Sequence, residues 1–88
     1  MTDNQFNNLC KKSIMDYYRE HSPFIISTSD VFVVWQCKIL QNFKAIFSTR
    51  SADRMLFECS YNGDKDEMYL DCYNKILNKS IKGDAYGT

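Results

Sequence analysis

The 88-residue chain carries 11 Lys or Arg and 11 Asp or Glu, so its formal net charge is zero. That length holds one domain, and 44% hydrophobic residues with 15% aromatics supply a core, which excludes disorder along the whole chain. Neutrality argues against a strongly basic nucleic-acid binder and equally against an acidic DNA mimic. The expected organisation is a single domain over 1–88, ordered from about residue 3 to 82, with 83–88 as a flexible tail.

Phe6, Leu9, Cys10, Ile14, Tyr17 and Tyr18 recur at helical spacing between Thr2 and about Arg19. Thr2 and Gln5 have capping-box spacing, and Asp3 suits the positive end of the helix. Pro23 ends the run. His21 to Asp30 then reads as a connection, with Phe24, Ile25 and Ile26 expected to tuck inward.

Three strands follow. Val31 to Lys38 is β-branched and aromatic, and Phe43 to Thr49 and Met55 to Tyr61 continue the pattern. The short gaps between them suit antiparallel hairpins better than crossovers. Asn62-Gly63 signals a turn. Asp64 and Glu67 again have capping-box spacing, and Met68, Tyr69, Cys72, Tyr73, Ile76 and Leu77 form a second helical stripe. Lys75, Lys79 and Lys82 lie toward its C-terminal end and Gly83 stops it. The expected fold is α+β, in the order α-β-β-β-α: a three-stranded antiparallel meander packed against two helices.

Strict alternation assigns the faces. Val31, Val33, Trp35 and Cys37 would point inward with Phe43, Ala45 and Phe47, and with Met55, Phe57, Cys59 and Tyr61. The outer face would be mixed. On it Phe32, Val34, Ile46 and Leu56 form an apolar island if the register brings them together, the first place to look for a partner. Lys38, Lys44, Arg50 and Arg54 form a basic rim that could meet a partner or touch phosphates; a solvated hairpin rim explains the same residues.

Catalytic signatures are missing. None of the glycines, Gly63, Gly83 and Gly87, builds a phosphate loop, and His21 sits beside a loop proline. Asp64, Asp66, Glu67 and Asp71 cluster, with Glu58 upstream; such a set could mimic phosphate or dock a basic groove, but Lys65 interrupts it and helix-start carboxylates explain it better. Cys10, Cys37, Cys59 and Cys72 show no C-x-x-C spacing. With His21 they are numerically enough for zinc, yet buried cysteines as small hydrophobes account for the same placement. No cofactor and no metal are expected. The polar start has no signal-peptide core, and the longest apolar run, Val31 to Trp35, is too short for a membrane span. A cytoplasmic chain with reduced thiols and no membrane contact is the expectation.

Asp30-Val31-Phe32-Val33-Val34-Trp35-Gln36-Cys37-Lys38, Leu40-Gln41-Asn42, Lys44-Ala45, Tyr61-Asn62-Gly63-Asp64-Lys65, Tyr69-Leu70-Asp71 and Tyr73 carry a resemblance. Over about residues 5–81 the chain resembles a family of small uncharacterised proteins from phages and prophages of Gram-positive bacteria, of streptococcal and lactococcal type. No activity transfers with that resemblance. It implies an accessory gene whose product binds and disables or redirects a host protein, such as a CRISPR nuclease, another defence enzyme or a replication or transcription factor. Arg50-Ser51-Ala52-Asp53-Arg54 is more charged than the corresponding loop of the relatives. The leading expectation is therefore a non-enzymatic protein that binds a host protein, with a homodimer through the outer sheet face as a further arrangement. The alternative is a small nucleic-acid-binding module, since α-β-β-β-α is also the element order of double-stranded-RNA-binding domains. The acidic start of the second helical stripe has the wrong sign for that task, and element order alone is not function.

Overall fold

The computed structural model describes residues 1–53, 55–74 and 79–83. Helix α1 (Asp3–His21) is followed by a short 3-10 turn at Thr28–Asp30 and four strands: β1 (Val31–Ile39), β2 (Asn42–Thr49), β3 (Met55–Asn62) and β4 (Glu67–Asn74). The strands form one antiparallel sheet in the order β1-β2-β3-β4.

The helix starts as its sequence dictates. The Gln5 amide donates to Thr2 Oγ1 at 3.1 Å, and the Thr2 amide donates back to Gln5 Oε1 at 2.8 Å. Phe6, Cys10, Ile14 and Tyr18, each four residues apart, are the positions it buries against the sheet. Phe6 stacks on Phe43 with centroids 4.9 Å apart, and Tyr17 and Tyr18 both meet Phe57. Val31, Ala45, Phe47, Met55 and Cys59 complete the core. At its far end the Tyr18 hydroxyl donates to Asp53 Oδ1 at 3.0 Å and shares a 3.2 Å bond with the Thr49 hydroxyl.

The second helix expected after Asp64 is not formed. Residues 67–74 are a strand instead, paired along β3 from Asn62↔Glu67 to Met55↔Asn74. Two features decide this. The Asn62 side-chain oxygen accepts from the amides of Asp64 and Lys65, and Asp66 takes a φ of 52°, so the chain reverses rather than winding on. The segment also alternates with period two: Met68 and Leu70 pack on the core while Tyr69, Asp71 and Tyr73 face away. Without β4, β3 would be an open edge with unpaired backbone groups beside Phe57 and Cys59. The part of the expected helix at residues 75–78 and the tail at 84–88 lie outside the described residues.

A second correction concerns β1. Val33 pairs with Phe47 and Trp35 with Ile46, so the strand carries one extra residue at Val34. This bulge reverses the alternation beyond it. Trp35 and Cys37 therefore share a face with Ile46 and Lys44, away from the helix, whereas Gln36 and Lys38 share the helix side with Ala45 and Phe43. Val33 stays on the helix side yet is 45% exposed, as it lies on the edge strand. In the connection before β1 only Ile26 packs inward; Phe24 and Ile25 are exposed.

Candidate functional site

Helix α1 covers one face of the sheet, and the other face is open over all four strands among the described residues. The register lays its side chains out in rows. Phe32, Ser48, Leu56 and Tyr73 form one row, and Trp35, Ile46, Glu58 and Asp71 the next. Cys37, Lys44, Ser60 and Tyr69 follow, and beyond them Ile39 pairs with Asn42 and Asn62 with Glu67. Phe32, Trp35, Ile39, Leu56, Tyr69 and Tyr73 are all exposed. An apolar and aromatic surface of this kind, spread over neighbouring strands, is a candidate contact surface.

Phe32, Ile46 and Leu56, expected as an island, fall in adjacent rows of this face. Val34 sits at the bulge and is exposed. The basic set is not brought together. Lys38 lies on the helix side with its ammonium over the Phe43 ring, 5.1 Å from the centroid. Lys44 lies on the open face in a 2.8 Å ion pair with Glu58. Arg50 follows β2 at the opposite end of the sheet, its amide donating to the Asp30 carbonyl. Arg54 lies outside the described residues.

Sequence reading missed Trp35, Cys37, Ile39, Tyr69, Asp71 and Tyr73 as members of this surface. For β4 the signal was present, in the period-two alternation of Met68, Leu70 and Cys72 against Tyr69, Asp71 and Tyr73. For Trp35 and Cys37 it was weak, because an unbroken apolar run from Val31 to Trp35 does not mark where a bulge falls.

The electrostatics of the open face are acidic. Its one described cation, Lys44, stands against Glu58, Glu67 and Asp71. The hydrogen bond and charge of Glu58 raise the Lys44 ammonium, with a contribution from Asp71. The Tyr69 hydroxyl donates to Glu67, and this bond raises the Tyr69 phenol. Beside them lies a hollow of about 420 Å³ whose lining includes Trp35, Ile39, Lys44, Ser60, Asn62 and Tyr69.

The cysteines do not converge. Cys10 and Cys59 are buried against one another between α1 and β3, and the neighbouring thiol together with burial pushes Cys10 well above the ordinary thiol range. Cys37 is on the opposite face, and Cys72 is exposed on β4. Among the described residues no three His, Cys, Asp or Glu side chains form a metal-binding group. No described helix is long and apolar enough to cross a membrane.

Among the described residues, one helix on one face of a four-stranded antiparallel meander, with an aromatic and acidic surface opposite, defines a small two-layer α+β protein. The chain belongs to DUF6275, a family of unknown function whose pattern it matches over residues 7–83. No curated protein and no solved structure matches it.

Proposed function

We propose that the chain is a non-enzymatic phage or prophage accessory protein that binds a host protein, in the host cytoplasm, through the open face of its sheet. The observation that carries this reading is the exposure of Phe32, Trp35, Leu56, Tyr69 and Tyr73 on a face no described element covers. The phage context rests on the sequence resemblance, which also makes defence enzymes the first targets to examine. A binding role also accords with the candidate catalytic groups. His21 is exposed at the end of α1 beside Glu20, and Cys10 is buried with a raised thiol, the unreactive form.

The test is capture from a Gram-positive host lysate with tagged wild-type protein and with Ile46→Asp, each with and without nuclease. One host protein enriched by the wild type, insensitive to nuclease and reduced at least tenfold by Ile46→Asp supports the reading. A Leu56→Asp variant repeats the test at a more exposed position, and circular dichroism checks that both variants fold. Capture that survives both substitutions rules the open face out. Capture that vanishes with nuclease returns the nucleic-acid alternative.

A further inference from the structure

Resting on the reading above, the chemistry of the open face narrows the partner. Asp71 stands directly opposite Glu58. Lys44 pairs directly with Glu58; its charge also reaches Asp71, but Asp71 makes no direct ion pair or side-chain hydrogen bond among the described residues. Any partner that covers the surrounding aromatics takes water away from Asp71. A buried carboxylate without a counter-charge is strongly unfavourable, so an apolar partner alone does not fit. A second copy does not fit either. Face-to-face pairing would set two surfaces of the same acidic sign together, each with its single described cation already engaged.

The immediate surroundings of Asp71 specify the cation. Tyr69 and Tyr73 are its same-face neighbours along β4, each one two-residue step away, about 6.7 Å by strand geometry. Both are half-exposed. A cation on Asp71 thus stands between two aromatic residues of the same face, the Tyr69 hydroxyl being turned toward Glu67 and the Tyr73 side lying open. Arginine suits this seat better than lysine, because its planar guanidinium pairs with a carboxylate in a fork and stacks on rings. Tyr69 also lines the hollow beside Trp35, so an apolar side chain next to that arginine has a place to go.

We propose that the open face recognises an arginine-bearing peptide segment of its partner, with the guanidinium on Asp71 between Tyr69 and Tyr73 and a neighbouring apolar side chain in the hollow beside Trp35.

The experiment is selection of a random 12-residue peptide display library on the immobilised full chain. The strongest peptide is then synthesised and its affinity measured against wild type and Asp71→Asn. Enriched sequences should carry Arg beside an aromatic or large aliphatic residue. Affinity should fall at least tenfold in Asp71→Asn, and equally when the peptide arginine becomes alanine, with the thermal melt of the variant retained. Enrichment of acidic or purely apolar peptides, no enrichment, or equal affinity in Asp71→Asn overturns the proposal. So does a dimer in sedimentation at 100 µM that Ile46→Asp dissociates, since a second copy would then own the face. If Ile46→Asp abolishes host capture while the library shows no arginine bias, only this inference falls. Capture that ignores the face fells the broader reading.

Discussion

Glu58 and Asp71 face each other across β3 and β4 on the uncovered side of the sheet, two like charges at a position where cross-strand pairs normally attract. The pair is tolerated in part because the Lys44 ammonium reaches Glu58 from β2. Stability and the proposed recognition of arginine therefore pull in opposite directions here. Asp71→Thr, which removes the repulsion and adds β propensity, should raise unfolding stability by about 0.5 kcal/mol. Denaturant melts of variant and wild type measure this; a loss of stability would mean that Asp71 has a supporting contact in the fold.

The turn between β3 and β4 depends on Gly63. A Cβ there would collide with the Gln41 backbone oxygen, and the Gly63 amide donates to Asn42 Oδ1 at 2.9 Å. Gly63→Ala should cost about 1–3 kcal/mol, since backbone must move. Gly83→Ala meets nothing within 4 Å and should be neutral within about 0.5 kcal/mol. Equal melts for the two variants would show that the hairpin ends do not touch in solution.

At the other end of α1, burial pushes the Tyr18 phenol up to about 12, assisted by its bond to the Asp53 carboxylate. The folded value lies above the unfolded value of about 10, so the neutral phenol favours the native state. Its contribution is complete below about pH 10 and is lost as pH rises from there toward 12. Tyr18→Phe should cost about 1 kcal/mol at pH 7, through its lost hydrogen bonds, and should flatten the decline of stability above pH 10. Parallel curves for both proteins between pH 8 and 11.5 would show that Tyr18 does not control the alkaline limb.

The thiols should divide into two classes. Cys37 and Cys72 should react with a maleimide in the native protein, Cys72 sluggishly because partial burial and the Asp71 charge raise its thiol. Cys10 and Cys59, enclosed between α1 and β3, should react only on unfolding. Mass spectrometry after timed labelling reads this directly. Protection of Cys37 would place it on the helix side and contradict the bulge at Val34.

Leu40 occupies the tip of the β1–β2 hairpin with a φ of 56° and is 81% exposed. A branched side chain is strained in that region, whereas Asn adopts it readily. Leu40→Asn should stabilise the chain by about 0.5–1 kcal/mol in denaturant melts. A destabilised variant would mean that the leucine packs on something in solution.

Local sequence determined much of this protein. Thr2 and Gln5 cap α1, the four-residue spacing of Phe6, Cys10, Ile14 and Tyr18 orients it, and alternation from Phe43 to Thr49 and from Met55 to Tyr61 sets the two central strands on the core. Those signals survive because each is written in neighbouring residues whose preferences agree. Tertiary structure decided two things. Residues 67–74 satisfy both a helical and a two-residue period, and the unpaired edge of β3 selects the strand. The apolar run into Trp35 fits either face, and only the register against Phe47 and Ile46 places the bulge at Val34. Both decisions turn on hydrogen bonds to a neighbouring strand, and together they bring Trp35, Tyr69, Asp71 and Tyr73 to the open face.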